Sequence, residues 1–389
     1  MTTHPDTRTV RISAPEPGGS PVSVPIHQTA IFAFDNPVDV AAAMSGPTGA
    51  FSYSGYGNPT VRAFEDAMTG LEGGAAALAT GSGSSAMSSV LLAALRQGDH
   101  VIAQKALYGG TYAVLRELAS TWGVEVTYVD AVDPAELTAA LRPNSRVLVL
   151  ETIANPTGHV PDLPGLLGVA REAGLLGVVD NTFATPLLCR PVEHGADVVV
   201  HSATKYLGGH HDVVGGVAVF ADADRYRRTW ERAIKFGTVA DPFTAWLVLR
   251  GMKTLALRVR RQCETAGRLA ALLADHPAVT AVHHPGLPSH PSHARATALL
   301  DGGYGGTLAF DLAGGAEAAH AFMGRLELVL NAGSLGGTET VTMHPATTSH
   351  RHLDEAALAA AGIGAGTVRI ACGIEHVDDL WADIARALG

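Results

Sequence analysis

Short apolar runs alternate with segments of helical periodicity between residues 73 and 219, and no other feature of the chain constrains its fold as much. Such alternation is typical of a largely parallel β-sheet covered by helices on both faces, and it predicts an α/β fold. Because the carboxyl ends of parallel strands meet at one edge of the sheet, we expect the functional residues in the loops there. The apolar runs span 75–79, 101–103, 124–129, 147–150, 176–180, 198–200 and 217–220, and the helical segments fall near 84–96, 111–121, 134–141 and 163–173.

The segments on either side of this region predict two further parts. Residues 1–50 are rich in proline, glycine, serine and threonine, which predicts an arm that lies on another surface, such as a second subunit. A helical stretch from about 242 to 276 leads into a smaller α+β region. We therefore predict a large domain (51–255) and a C-terminal domain (256–389). In the latter, apolar runs lie near 279–284, 307–312, 326–331 and 367–371, and helical patches near 315–324 and 376–388.

The composition argues against several classes of protein. Of the 389 residues, 47% are apolar and 16% are charged, so the chain can bury a large core. The net charge of −10 argues against a nucleic-acid binder, and no apolar run reaches membrane length. Cys189, Cys263 and Cys372 have no close spacing, which favours reduced thiols of a cytoplasmic protein. Adjacent histidines such as His210 and His211 point to opposite faces of a strand, so no metal site is predicted.

A lone lysine, Lys205, follows an apolar run at the point where the chain enters a glycine-rich loop. Hydroxyl side chains flank it at Ser202 and Thr204. Pyridoxal phosphate chemistry needs a lysine amine that bonds the cofactor aldehyde, and nearby hydroxyls can hold the cofactor phosphate. An exposed lysine in a polar loop is the alternative for this motif alone, but polar residues upstream favour the cofactor site.

Two upstream loops carry residues that suit the same cofactor. Asp180 ends an apolar strand, where a buried carboxylate needs a cationic partner such as the pyridinium nitrogen. Ser82, Gly83 and Ser84 open a helical segment, whose free N–H groups can approach an anion. A turn cap at Asp180 and a serine cap at Ser82 are the structural alternatives.

Three more side chains have functional and structural interpretations. Asn155 can hydrogen-bond a phenolate oxygen, although Asn-Pro is also an ordinary turn signal. Tyr108 can stack on a flat ring and assist proton transfer, or it can be a core tyrosine. Arg369 lies within an apolar run and suits a substrate carboxylate, with an internal salt bridge as the alternative.

Taken together, these residues resemble the Cys/Met-metabolism family of pyridoxal-phosphate enzymes. This family includes cystathionine γ-synthase, cystathionine γ-lyase, methionine γ-lyase and O-acetylhomoserine sulfhydrylase. The resemblance extends from about residue 25 to the C-terminus. The matching blocks are Gly57-Asn58-Pro59-Thr60, Leu71-Glu72-Gly73-Gly74, Tyr108-Gly109-Gly110-Thr111, Asp180-Asn181-Thr182, Ser202-Ala203-Thr204-Lys205-Tyr206, residues 249–255, Ser334-Leu335-Gly336-Gly337, and Val368-Arg369 with Gly373-Ile374-Glu375.

The resemblance implies a fold-type-I enzyme that binds pyridoxal 5'-phosphate and assembles as a homotetramer of two tight dimers, with each active site built from two subunits. It implies that Lys205 bonds the cofactor and moves protons, that Tyr108 stacks on its ring, and that Asp180 pairs with the ring nitrogen. It further implies that Ser82, Gly83, Ser84, Ser202 and Thr204 hold the phosphate. Asn155 would contact the ring hydroxyl, and Tyr53 would reach the cofactor of the partner subunit. Arg369 and Ser334 would bind the substrate carboxylate, and Asn155 and Tyr53 would also contact the substrate.

One position departs from the family pattern. The family usually reads Tyr-Ser-Arg ahead of Asn-Pro-Thr, and here Gly55 follows Tyr53 and Ser54 where the arginine is expected. Losing a charge-assisted phosphate contact removes ~1.5–3 kcal/mol if nothing replaces it. The hypotheses are a more loosely held cofactor, a substitute basic group, or freed space for an unusual substrate.

The reaction implied is γ-elimination or γ-replacement on a homoserine-derived or sulfur-containing amino acid. Gly110 and Glu339 resemble members that handle cystathionine, whereas residues 344–350 resemble methionine γ-lyase and the sulfhydrylase. A specialised reaction in secondary metabolism stays open. An aminotransferase is disfavoured by the Ser-x-Thr-Lys-Tyr and Ser-Leu-Gly-Gly blocks, and a non-catalytic relative is the remaining alternative.

Overall fold

The computed structural model describes residues 3–12, 21–46, 49–351 and 353–389; the remaining parts of the predicted arm lie outside the described residues. Its first sheet has seven strands in the order β1-β7-β6-β5-β4-β2-β3. The strands are β1 (Ala76–Thr80), β2 (His100–Gln104), β3 (Glu125–Val129), β4 (Ser145–Glu151), β5 (Leu176–Asp180), β6 (Val198–Ser202) and β7 (Gly216–Phe220).

This sheet is parallel from β2 to β6, and β7 runs antiparallel to both β6 and β1. Its central strands are buried on both faces, as the apolar runs predict. The α/β prediction is therefore confirmed. Because β4, β5 and β6 are parallel neighbours, Glu151, Asp180 and Ser202 come together at one edge of the sheet.

A second, smaller sheet of five strands has the order β10-β11-β12-β9-β8. A hydrophobic cluster that includes Phe310 and Phe322 packs between this sheet and its helices. This arrangement confirms a smaller α+β layer. The strands are β8 (Val279–His283), β9 (Thr307–Leu312), β10 (Leu330–Asn331), β11 (Val341–Met343) and β12 (Thr367–Ala371).

Helices cover both sheets. They are α1 (Pro5–Val10), α2 (Pro37–Ala43), α3 (Pro59–Glu72), α4 (Gly83–Ala94), α5 (Gly109–Trp122), α6 (Pro134–Ala140), α7 (Leu163–Glu172), α8 (Thr185–Leu188), α9 (Ala223–Phe236), α10 (Pro242–Met252), α11 (Leu255–Ala274), α12 (His293–Leu299), α13 (Gly315–Arg325), α14 (Glu355–Ala360) and α15 (Val377–Leu388). Two short 3-10 helices span Pro191–His194 and Pro345–Thr347.

Two sequence predictions need correction. The helical stretch predicted at 242–276 is two helices, α10 and α11, because the Gly251 carbonyl accepts from Thr254 N (3.1 Å) and from the Arg258 guanidinium (2.8 Å) at the junction. The apolar run at 326–331 forms only the two-residue strand β10. The amides of residues 327–329 instead donate to the Asp383 carboxylate at 2.8–2.9 Å, which diverts them from strand pairing.

The cysteines are free and buried, as predicted. Burial raises the pKa of each thiol, to about 11 for Cys263 and further for Cys189 and Cys372. Among the described residues, no helix combines the length and apolar character needed to cross a bilayer, and no cluster of side chains is suited to a metal ion.

Candidate active site

A cavity of about 550 Å³ opens at the edge where β4, β5 and β6 end. It brings together every predicted site residue except Tyr53. The residues that line it therefore come from both sheets and from loops far apart in the chain. The predicted residues among them are Ser82, Gly83, Ser84, Tyr108, Asn155, Asp180, Ser202, Thr204, Lys205, Ser334 and Arg369.

Lys205 lies three residues beyond the end of β6, and its backbone N–H donates to the Ser202 carbonyl (3.1 Å). Its Nζ donates to Ser334 Oγ at 3.0 Å. Burial, together with the nearby positive charge of Arg369, lowers the pKa of Lys205 to about 8. Near neutral pH a useful fraction of this amine is therefore uncharged, as a nucleophile and a proton acceptor must be.

Asp180 is the last residue of β5, and its Oδ1 accepts from the backbone N–H of Thr182 at 2.9 Å. The turn cap considered from the sequence is therefore present. Burial raises the pKa of Asp180. Within the part of the chain that the structure describes, no lysine or arginine forms an ion pair with this carboxylate. A cationic group of a ligand would supply the missing partner.

Glu151 ends the neighbouring strand β4, and sequence reasoning assigned it no role. One of its carboxylate oxygens accepts from the backbone N–H of Tyr108, and the other accepts from the N–H of Asn155 at 3.3 Å. Burial and the adjacent Asp180 raise the pKa of Glu151 well above its usual value. Glu151 thus joins the loops that carry two predicted site residues. The sequence signal that could have identified Glu151 is a carboxylate at the end of an apolar strand, as at Asp180.

Arg369 lies in the middle of β12 and is 3% exposed. Its Nη1 donates to Asn155 Oδ1 (3.0 Å) and its Nη2 to the Ser334 carbonyl (2.6 Å). Its Nε has no hydrogen-bond partner among the described residues, and burial lowers the pKa of the guanidinium to about 10. The internal salt bridge considered from the sequence is absent from the described residues, which leaves this cation available to a carboxylate ligand.

The start of helix α4 forms a cradle with Ser202. Ser82 caps the helix, and its side-chain oxygen accepts from Ser85 N at 3.1 Å. A Cβ added to Gly83 would lie 2.7 Å from the Cβ of Ser202, so only glycine permits this approach of helix and strand. The hydroxyl of Thr204 accepts from Gly215 N at 3.0 Å. Hydroxyls and a helix N-terminus facing one space suit a phosphate group.

Tyr108 precedes helix α5 and is 43% exposed, so it is not a core tyrosine. Its ring lies over Gly110, where an added Cβ would be 2.3 Å from Tyr108 Cε1. Tyr53 adopts the same arrangement over Gly55, also at 2.3 Å, but outside the cavity. Tyr53 is therefore the one predicted site residue that its own chain does not bring to the others.

The fold and these residues define a fold-type-I pyridoxal-phosphate enzyme. The carboxylate of Asp180, which lacks a cationic partner, fits the ring nitrogen of that cofactor, and Lys205, with its lowered pKa, fits the aldehyde. The cradle at Gly83 and Ser202 fits the phosphate. When bound, the cofactor ring accepts electrons from a carbanion formed at the substrate.

Comparison with known proteins agrees with this assignment. The sequence model of one protein family, the Cys/Met metabolism PLP-dependent enzymes, matches residues 6–389. L-methionine γ-lyase of Porphyromonas gingivalis is 41% identical over 98% of this chain and 96% of its own length. Cystathionine γ-lyase of Bacillus subtilis is 39% identical over 94% of both chains. The structure of cystathionine γ-synthase from Xanthomonas oryzae pv. oryzae, in complex with aminoacrylate and cysteine, has a TM-score of 0.93 at 36% identity and covers 99% of this chain and 98% of its own.

This chain belongs to the Cys/Met metabolism family of PLP-dependent enzymes. The family resemblance, the fold type and the cofactor expected from the sequence are confirmed. The individual roles of the site residues remain predictions.

Proposed function

We propose that the protein catalyses γ-elimination or γ-replacement on an amino acid that carries a leaving group at Cγ. The observation that carries this proposal is the convergence of half-buried Lys205 and Asp180 and buried Arg369 on one cavity. None of the three forms an ion pair within the described residues. The α-carboxylate of the substrate would bind Arg369 and the backbone around Ser334, which leaves Cα and Cβ within reach of the lysine amine.

The lysine is the proton carrier in this proposal. With a pKa of about 8, Lys205 can accept a proton from Cα at neutral pH and return it elsewhere on the substrate. Its hydrogen bond to Ser334 Oγ orients Nζ within the cavity. Tyr108, on the opposite loop, is available to assist departure of the γ-substituent.

The visible absorption spectrum tests the cofactor and its lysine first. We expect a yellow absorption band that disappears in Lys205→Ala while the variant stays folded. O-acetyl-homoserine, O-succinyl-homoserine, cystathionine and methionine would then be offered, with and without a thiol acceptor. Release of 2-oxobutanoate indicates elimination, and its suppression by the thiol indicates replacement. Failure of every substrate in a protein that carries the band would contradict the proposal.

The choice between cystathionine and methionine rests on two segments. Glu339, which resembles cystathionine-handling members, is exposed and does not line the cavity. Thr348 and Ser349, from the segment that resembles methionine γ-lyase, do line it. These observations favour γ-elimination from methionine as a second, narrower candidate. Comparing 2-oxobutanoate release from methionine and from cystathionine tests it, and a preference for cystathionine would contradict it.

We also propose a homotetramer in which Tyr53 completes the site of a partner subunit. Support comes from the position of Tyr53 outside its own cavity and from apolar side chains on the surface, such as Phe236 (54% exposed), Phe243 (49%) and Leu257 (72%). Light scattering gives the subunit number. Mixing Tyr53→Ala with Lys205→Ala and refolding them together should restore part of the activity if sites are shared. No restoration would contradict sharing.

A cytoplasmic location is part of the proposal, and so is the division into an arm (1–50), a large domain (51–255) and a C-terminal domain (256–389). The division is supported by the two sheets and by helix α11, which starts at Leu255 and leads from one to the other. Limited proteolysis tests the boundary of the arm, because cleavage should concentrate near residue 50.

A further inference from the structure

A second arginine lines the active-site cavity at its mouth. Arg351 is exposed, whereas Arg369 is buried within the same cavity, so the cavity has cationic groups at two depths. The sequence analysis gave Arg351 no role. Whereas Arg369 suits the α-carboxylate of an amino acid, an arginine at the mouth lies where the far end of a substrate would be.

The segment that carries Arg351 is held in place by hydrogen bonds. Its Nη1 donates to the Thr348 carbonyl (3.1 Å), and the neighbouring His350 donates from Nε2 to the Leu107 carbonyl (3.2 Å). The carbonyl of Ser349 lies so close to Gly109 that an added Cβ would be 2.0 Å from it. These contacts fix residues 348–351 against the loop that carries Tyr108.

Among the residues that the structure describes, no acidic side chain pairs with Arg351, and its guanidinium donates to one backbone carbonyl. The acidic residues that line the cavity are Glu151 and Asp180, which lie at the end of the sheet and accept from backbone N–H groups. Four guanidinium N–H donors of Arg351 thus stay available to a ligand.

We propose that Arg351 forms an anion subsite at the cavity mouth, which binds a carboxylate at the far end of the substrate side chain or of its leaving group. The proposal rests on the proposed function, because Arg369 must hold the α-carboxylate for the far end to point outward. The substrate class is an amino acid whose γ-substituent ends in a carboxylate. Substrates with neutral γ-substituents, such as methionine and O-acetyl-homoserine, gain nothing from this contact.

O-succinyl-homoserine and O-acetyl-homoserine test the subsite, because they differ chiefly in the terminal carboxylate. We expect Arg351→Gln to reduce kcat/KM for the succinyl ester by on the order of tenfold or more, and for the acetyl ester by less than about twofold. Arg351→Lys should retain part of the preference. Arg325→Gln is the matched control, because Arg325 is also exposed and also donates to a backbone carbonyl (Ala387, 3.3 Å). An unchanged ratio of the two substrates in Arg351→Gln would overturn the proposal.

An equilibrium measurement separates this inference from the proposed function. Holoenzyme of Lys205→Ala, with and without Arg351→Gln, would be titrated calorimetrically with each ester. We expect the second substitution to weaken binding of the succinyl ester alone. If the succinyl ester alone binds more weakly, but no protein that retains Lys205 turns over either ester, the proposed reaction is rejected and the subsite is supported. The subsite is rejected if Arg351→Gln weakens the binding of both esters equally. It is also rejected if Arg351→Gln loses cofactor while the ratio of kcat/KM for the two esters stays unchanged. Either result would assign Arg351 to another role.

Discussion

Tyr108 and Tyr53 share a local geometry but differ in what surrounds them. Each ring lies over the glycine two residues later, and each is nearly half exposed. The loop of Tyr108 is held from the interior: Glu151 accepts from the Tyr108 amide, and His350 donates to the Leu107 carbonyl. This loop therefore keeps its position through buried contacts with two other parts of its own chain.

The loop of Tyr53 is held from the surface. Ser54 N donates to the carbonyl of Ala30 (2.8 Å), and Tyr56 packs edge-on against both Tyr53 and Trp230. Ser54 and Tyr56 are half-buried, so water competes for these contacts more than for those of the buried Glu151. We therefore expect the Tyr108 loop, which lines the cavity of its own chain, to be the more rigid of the two. We expect the Tyr53 loop, which faces outward, to be the more adaptable.

The largest difference between the loops should come from Glu151→Ala. Two buried N–H groups lose their acceptor, which lowers the free energy of unfolding by ~1–3 kcal/mol. The displaced Tyr108 and Asn155 reduce kcat/KM by on the order of 10²-fold. Ser54→Ala in the other loop removes a half-exposed hydroxyl that bonds the Thr29 carbonyl and the Asn58 amide, and it should change either quantity less. Urea unfolding and steady-state kinetics measure both.

Glu151→Gln is the control for this comparison. Both oxygens of Glu151 accept from backbone N–H groups, and the glutamine amide can replace only one of these two acceptors. We expect an activity between those of wild type and Glu151→Ala, since one carbonyl acceptor remains. Wild-type activity in Glu151→Ala would show that the loop needs no acceptor.

Gly55→Arg tests the hypotheses about the missing arginine. The new side chain must displace the Tyr53 ring, which an exposed tyrosine can accommodate, and it restores a cation next to the site that we propose is shared between subunits. A charge-assisted phosphate contact should slow cofactor loss by about tenfold. Gly55→Ala displaces the ring without the charge and separates the two effects. Unchanged cofactor affinity and substrate preference in Gly55→Arg would rule out the loose-cofactor and freed-space hypotheses together.

Gly110→Ala should affect kcat/KM rather than cofactor loss, and less than Glu151→Ala does. The added Cβ meets the Tyr108 ring, which turns out of its present position, and we expect kcat/KM to fall by on the order of tenfold. The matched Gly55→Ala should lower kcat/KM less, because the half-exposed Tyr53 ring has more room to return to its place. Equal losses in the two variants would remove the distinction between rigid and adaptable loops.

The last effect expected is absent near neutral pH and concerns the Tyr108 loop. The pKa values of His159 and His284 are also lowered to about 4, so this loop must be followed by itself. Burial lowers the pKa of His350 to about 4, below the ordinary value of an unfolded histidine. The unfolded chain then binds more protons between about pH 6.5 and pH 4, so stability falls as the pH decreases through this window, by up to about 3 kcal/mol. His350→Asn should reduce that dependence. Hydrogen exchange would report earlier opening of residues 107–112 than of 53–57 as the pH decreases; simultaneous opening would contradict it.

The sequence predicts the first sheet well because its strands are buried on both faces and read as continuous apolar runs. Helix α9 was not predicted, although Tyr226, Trp230 and Ala233 are buried along one side of it. Its many arginines obscured that periodicity. Strand β11 has only three residues and depends on pairing with β12, which local sequence does not encode.

The site was predictable to the extent that its residues follow strand ends. Lys205, Asp180 and Asn155 come directly after apolar runs, so the shared edge of the sheet brings them together. The contacts of Glu151 and Arg351 depend on how distant loops meet, and 243 residues separate His350 from its acceptor at Leu107. Such tertiary contacts leave no periodic pattern in the sequence.

The buried cysteines have a consequence for how the folded protein behaves toward thiol reagents. With raised pKa values and little exposure to solvent, Cys189, Cys263 and Cys372 hold almost no thiolate at neutral pH. Alkylating agents and small disulfides should therefore modify the protein only as fast as its core opens. The rate of labelling then reports the rate of global unfolding. The same burial protects an enzyme that handles sulfur compounds from forming mixed disulfides with them.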